Sequence, residues 1–509
     1  MVTSLALAAV VPLALSACSS AVSQEAGGTE PVEGGTLTVG TMLDIQPSIF
    51  YAMVFQAFNG NVVEALVDYP ADGLEPQPRL ATAWELSEDG TSVRLELQEG
   101  VRFHTGRELT SKDVEFSIRA AADPVNAAPI ARSAGVITSF DTSKPGEITL
   151  TLEHPISNLF DVLAAVPIVD SETFAGLADA SEVIGTGPFV FDSWTPGSEY
   201  VFTRNEEYWG EEALLDEVRF KVVPDPQALT SQLRAGQLDV VAGASNRDAQ
   251  QLEGEEKYAV ETVEGSGGGT YLGINVTEPD LEDVRVRRAI AHAIDQERIA
   301  EEVYLDYGRG GDLPWSSDSP IWEEKLDDYY PYDLARAEQL LDEAGVKGLS
   351  LPLTYASENP GQAAIAQIIQ SDLASIGVKV ELVPRPMAEL SQLGAVPGGI
   401  EGLWLNGHQW ANFSPATIPV SAYAFNSEQN ISKLDDADYK AAARAAWATT
   451  PEAALSSGVY RSLAQAYLDA AFVHEVFVAT GIRVSSTRVH GLDSGKTIAL
   501  DLAETYVTK

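Results

Sequence analysis

A single cysteine, Cys18, stands in 509 residues, so no intrachain disulfide can form and packing alone must hold the folded chain. Histidine is scarce as well. The six, at 104, 154, 292, 408, 474 and 490, are scattered without the spacing that would aim several imidazoles at one metal ion. Basic side chains are few: 32 Lys and Arg face 75 Asp and Glu, and the net charge of -43 repels phosphate-rich and anionic surfaces, which excludes nucleic acid as a partner. The acidic surplus reads as a well-solvated surface that keeps an exported protein soluble, with no catalytic meaning. No HExxH, CxxC, GxSxG or Walker-type motif occurs. Gly185-Thr186-Gly187 lacks the Lys and Ser/Thr that a phosphate cradle needs. Carboxylates are so abundant that pairing two of them as a glycosidase would is unsupported. Together these absences predict no catalytic residues, no metal and no cofactor. His292 reads as a packed or surface histidine.

What is present begins with residues 1–17, an apolar run ending in small residues directly before Cys18. The run is short and broken by Pro12, a poor spanning helix. Leu15-Ser16-Ala17-Cys18 resembles a lipobox, which implies a signal peptide over 1–17 and a lipidated Cys18 at the mature N-terminus. No Lys or Arg precedes the apolar core, a departure from the usual export signal. Residues 18–35, small, polar and aperiodic after the cysteine, read as a flexible tether. Beyond it no second membrane segment, internal repeat or coiled coil is visible. Length and 45% apolar residues allow several folded cores.

The clearest local signal lies between Val93 and Pro124. Val93, Leu95 and Leu97 alternate as one face of a strand after an Asp89-Gly90 turn. Thr110 and Asp113 form a capping box for a helix whose buried face is Val114, Ile118 and Ala121, stopped by Pro124. A helical stretch is also read near 54–66. Further helices follow over 227–235, over 284–293 with Asp283 as N-cap, and over 334–344 with Asp333 as N-cap and Gly345 as stop. Leu349–Ala356, a helix carrying Ile365, Ile369 and Leu373, and Val378–Val383 make a βαβ unit, hence a parallel strand pair.

With its approach PRLATAWELSEDG (78–90), the stretch GVRFHTGRELTSKDVEFSI (100–118) resembles the signature region of the peptide- and nickel-type solute-binding proteins of ABC importers, family 5. GGTLTV, VVEALVDY, GTGP, RNEEYWG, VRVRRAIAHA and YDLARAEQLLDEAG resemble further motifs of that family in its order. The resemblance implies an α/β, type II periplasmic-binding-protein-like fold: two hinged α/β lobes with an extra lobe inserted in the first. Lobe I is expected from 36–73, 182–270 and 480–509, the extra lobe II from 74–181 and lobe III from 271–479. It implies a monomeric, non-enzymatic protein at the cell surface, lipid-anchored to the outer face of the cytoplasmic membrane, or periplasmic. Such a protein captures a peptide or similar small solute between the lobes and hands it to a permease and its ATPase subunits.

The ligand is addressed by a departure from the family. Dipeptide-binding members hold the peptide ammonium with an acid just after a tryptophan and the carboxylate with a nearby arginine. Here Asn406 follows Trp404, and Ala363 and Ala364 stand where a basic residue is expected, so short peptides with free termini are expected to bind poorly. GLWLNGHQWANF (402–413) offers instead Trp404, His408, Trp410 and Phe413 with Asn406, Gln409 and Asn412 interleaved, suited to a longer peptide held by its backbone or to an oligosaccharide. Asp44, beyond the first strand, and Tyr271, on a hinge strand, complete the candidate set. The competing readings are that these aromatics are lobe core, and, for function, an extracellular hydrolase.

Overall fold

Asp89 accepts hydrogen bonds from Ser87 Oγ (2.7 Å) and the Thr91 amide (3.0 Å), closing the turn between strands Ala81–Leu86 and Ser92–Leu97. This hairpin opens a four-stranded antiparallel sheet completed by Glu147–Leu152 and Ile137–Lys144. Helix Ser111–Ala122 covers it, burying Val114, Ile118 and Ala121 in the core that also holds Val93 and Leu95. Its capping box is formed as the spacing predicts, with the Thr110 amide donating to Asp113 Oδ2 at 3.1 Å. Arg107 adds a tie that local pattern does not show, bridging the buried carboxylates of Asp113 (2.5 Å) and Asp170 (2.6 Å). The chain is described here from a computed structural model over residues 31–47, 50–53, 57–70, 75–263, 268–409, 414–494 and 500–508. Cys18, the segment before it, Trp410, Asn412 and Phe413 lie outside the described residues.

A seven-stranded mixed sheet receives the chain before and after this unit. Strand Thr36–Thr41 runs parallel to Glu217–Val222 on one side and to Val240–Ala242 on the other. Glu199–Arg204 and Phe189–Thr195 extend one edge, Gly481–Ser486 and Tyr258–Val263 the other. The return is fixed by Gly185 and Gly187, whose backbones press on the Val62 and Asn61 carbonyls so closely that a Cβ at either position has no room. Glu64, 1% exposed, locks the same junction: it accepts from Arg79 Nε (2.8 Å), Thr186 Oγ1 (2.8 Å), Tyr208 OH (2.9 Å) and Trp209 Nε1 (2.9 Å). The helix expected near 54–66 is absent over the described part of that stretch, 57–66. The Phe58 carbonyl instead gathers the amides of Asn61, Val62 and Val63 around Gly60, which holds φ +79°. Satisfying buried Glu64 overrides the local helical pattern.

A six-stranded sheet forms the other large unit. Strand Ser350–Ala356 pairs in parallel with Lys379–Arg385, and helix Pro360–Ser375 joins them, as the βαβ reading requires. Asn359 caps that helix by accepting from the Gln362 amide at 3.1 Å, and Ile365, Ile369 and Leu373 are fully buried on its inner face. Each such side chain contributes about 1.5–3 kcal/mol on burial. The two large sheets are joined twice, between Val263 and Gly269 and between Ala479 and Gly481, and the flanking strand ends are neighbours, Val263 paired with Gly481 and Gly269 with Val478.

Candidate functional site

The site is built on one face of the six-stranded sheet. Strand Gly269–Ile274 lies antiparallel to Leu403–His408, with Gly269 opposite His408, Tyr271 opposite Asn406 and Gly273 opposite Trp404. On its other side Tyr271 pairs with Glu475 of strand Val473–Ala479. Because side chains alternate along a strand, all of these point to one face, while Leu272, Ile274, Leu403, Leu405 and Val476 pack on the other. The two glycines make the arrangement possible. The Trp404 indole fills the space a Gly273 side chain would take, and His408 with Glu475 fills that over Gly269. The same register places His408 at the end of the sheet where the chain crosses from the seven-stranded sheet.

Above this face lies a cavity of ≈ 390 Å³, within the range of small-molecule sites. Tyr271, Asn406, His408, Tyr423, Phe425 and Leu390 supply most of its chemistry, and among the described residues no carboxylate, ammonium or guanidinium lines it. Phe425 packs edge-on to both Tyr271 (5.2 Å) and His408 (5.0 Å). Burial holds the Tyr271 hydroxyl well above its ordinary value, so it is a neutral group at all working pH. The wall thus offers aromatic faces and neutral hydrogen-bonding groups. Such a lining binds uncharged or backbone-like parts of a ligand and penalises an unpaired charge.

Beside the cavity, His408 Nε2 and Glu475 Oε2 are 2.9 Å apart and both side chains are buried. Burial pushes the Glu475 carboxyl up, against the opposing pull of His408, and its Oε1 has no hydrogen-bond partner among the described residues. The neighbouring His474 points to the opposite face, and burial pushes its imidazole down to about 3. His292 is structural, its Nδ1 2.9 Å from the Pro331 carbonyl oxygen. Among the described residues no three His, Cys, Asp or Glu side chains are grouped to hold a metal ion, and no helix is long and apolar enough to cross a membrane.

Of the residues singled out in the sequence, Tyr271, Asn406 and His408 meet at the cavity. Trp404 does not. It is 0% exposed, packed over Gly273 in the lobe core, so it offers no stacking face. Asp44 is occupied elsewhere: its carboxylate takes the Trp194 indole N–H (2.9 Å) and the amides of Gly197 (2.7 Å) and Ile45 (2.8 Å), pinning the hairpin that follows Phe189. Trp410, Asn412 and Phe413 fall outside the described residues. Tyr423, Phe425 and Glu475 escaped the sequence reading. For Glu475 a signal existed, a lone acid in the apolar strand VHEVFVA, which burial makes costly unless it is partnered.

Comparison with known proteins bears on this arrangement. The model of the bacterial extracellular solute-binding proteins, family 5, matches residues 75–453. Heme-binding protein A of Haemophilus influenzae is 28% identical over 439 residues, 77% of this chain and 79% of that protein. Di/tripeptide-binding protein 2 of Pseudomonas aeruginosa is 28% identical over 358 residues, 64% of this chain and 67% of that protein. Among solved structures, the oligopeptide-binding protein AppA of Bacillus subtilis, in complex with a nonapeptide, superposes with a TM-score of 0.78 at 20% identity. That match covers 94% of this chain and 100% of the other, and speaks for the fold.

Proposed function

We propose, for a chain that belongs to the bacterial extracellular solute-binding proteins of family 5, that it captures a peptide or similar small solute between its lobes and delivers it to an ABC permease. The observation that carries this reading is the cavity beside the paired crossings, on the sheet face that holds Tyr271, Asn406 and His408. Two adjacent crossings are the mechanical requirement for a hinge, and a ligand that contacts both lobes shifts the population toward the closed form. Lobe I comprises 36–73, 182–270 and 480–509, lobe II 74–181 and lobe III 271–479. The protein acts as a monomer, tethered through a lipid on Cys18, and makes or breaks no bond in its cargo.

The cavity wall supports a peptide gripped through backbone and neutral side chains. Asn406, on the cavity wall, offers a peptide ammonium no negative charge. The uncharged lining, and Ala363 and Ala364 of helix Pro360–Ser375, which bring no basic group, speak against charged termini as well. Tyrosine faces beside Asn406 also support an oligosaccharide as the second reading. Calorimetry with dipeptides, penta- to octapeptides and β-linked oligosaccharides separates them: binding of the longer peptides, lost in Asn406→Ala and Tyr423→Ala, is expected. Tight dipeptide binding unaffected by those changes would defeat the proposed site.

A further inference from the structure

Among the described residues, lobe II is hydrogen-bonded to lobe III around Ser157, Asn158 and Asp161. Ser157 Oγ donates to the Ala446 carbonyl (2.7 Å) and its amide to that of Trp447 (2.9 Å). Asn158 donates to Thr417 Oγ1 (2.9 Å) and accepts from Trp447 Nε1 (2.9 Å). At the centre is Asp161 of helix Leu159–Ala165, 1% exposed, its Oδ2 taking the Thr417 hydroxyl and the Ser414 amide (3.0 Å) and its Oδ1 the Tyr69 hydroxyl (3.1 Å). Ser414 and Thr417 stand shortly beyond His408 of the cavity wall in the sequence.

Among the described residues the three donors to Asp161, the Tyr69 and Thr417 hydroxyls and the Ser414 amide, are all neutral. Facing it are Tyr69 and, across Ser414, Tyr460, whose OH is 3.4 Å from Ser414 Oγ. Asp68 lies exposed at the end of the short strand Val67–Asp68 that packs on the same helix. Arg132, on the helix Ala131–Ala134, lies over the Trp447 ring (5.3 Å), and His154 meets that ring edge-on (5.1 Å). Helix Ile418–Ser421 brings no charge. We propose, resting on the hinged reading above, that Asp161 is an acid-strengthened clasp between lobes II and III, gripping Ser414 and Thr417 when protonated and loosening as it ionises.

The chemistry sets the sign. Burial pushes the carboxyl from 3.8 up to about 6, against the three hydrogen bonds that favour its ionised form. Protonated, Asp161 keeps Oδ2 as acceptor for Thr417 and Ser414 and can donate from Oδ1 to the Tyr69 oxygen, so no lobe III bond is lost. Ionised, it is a buried charge without a cation among its bonded partners, and opening the lobes hydrates it. A group whose value is higher clasped than open favours the clasped state at low pH. That preference fades as pH rises through about 6. The clasped-to-open ratio should therefore rise about tenfold from pH 8 to pH 5.

The test is a distance measurement between spin labels at Lys112→Cys and Ser456→Cys, both exposed and on opposite lobes, in a full chain carrying Cys18→Ser. Burial pushes Asp312 up to about 7 and raises the Glu475 carboxyl as well, so Asp161→Asn isolates the clasp. Its amide keeps the acceptor for Thr417 and Ser414 and donates to Tyr69. The expected result is a short-distance population that grows about tenfold toward pH 5 in the parent, stays high at pH 8 in Asp161→Asn, and is depleted at both pH values in Thr417→Val. A parent and Asp161→Asn that respond alike to pH would overturn the clasp while leaving the hinge intact. One unchanging distance under all conditions would overturn the hinge and the clasp together.

Discussion

His408 and Glu475 form a buried pair, Nε2 to Oε2 2.9 Å, on two strands that flank Gly269 at the crossing between the lobes. The pair is tied to the site on one side and to the fold on the other, which makes its energetics measurable. Glu475→Ala takes the carboxyl away from the buried imidazole and leaves a hole above Gly269, and should cost about 2–5 kcal/mol in urea unfolding. Glu475→Gln keeps shape and a hydrogen bond. Because burial raises the Glu475 carboxyl, the wild-type acid favours folding at low pH and progressively opposes it as pH rises. The Gln variant should therefore gain in Tm relative to wild type at pH 8, with the gap closing toward pH 4. A gap that widens in acid contradicts this.

Gly273→Ala should destabilise the chain by about 1–3 kcal/mol, since its methyl would collide with the Trp404 indole. Gly146, with open space around its Cβ position and no left-handed backbone, is the control: Gly146→Ala should leave the urea midpoint within about 0.5 kcal/mol of wild type. Equal effects at both positions would mean that Trp404 does not occupy the space described.

Trp404→Phe should lower stability by about 1–3 kcal/mol and leave the dissociation constant of any bound peptide unchanged. Asn406→Ala and Tyr423→Ala should do the reverse, weakening binding with little change in Tm. Parallel thermal melts and titrations of the three variants check this division. A Trp404 variant that loses affinity at unchanged stability would restore it as a ligand-facing residue.

Much of this was legible because it is local. Thr110 and Asp113 cap their helix as their spacing predicts, and Asp283 and Asp333 do the same at two others. The parallel pair around Pro360–Ser375 followed from alternating patterns that switch period within one short stretch. What failed depends on partners distant in the chain. In LWLNGH alternation puts Trp404 on the same face as Asn406 and His408, and nothing beside it says that Gly273 provides the slot its indole fills. Glu64 sits inside an apolar run whose helical look is overruled by Arg79, Thr186, Tyr208 and Trp209. Asp44 looked free for a ligand because Trp194 and Gly197 come from a hairpin beyond the inserted lobe.

Metabolic labelling with a fatty acid should mark the wild type and leave Cys18→Ser unlabelled, and the mature wild type should begin at Cys18. Equal labelling of both, or a mature chain beginning elsewhere, contradicts the lipid tether.

Solute capture without chemistry is tested most directly by native mass spectrometry of the protein as isolated, followed by calorimetric titration with the solute identified. The account predicts a peptide of one to one stoichiometry, recovered unchanged after incubation. Added at about 100 times its dissociation constant, it should stabilise the fold by roughly 2.7 kcal/mol. Turnover of that solute surviving rigorous purification, or a cargo of nucleic acid or lipid in place of a peptide or sugar, would contradict it.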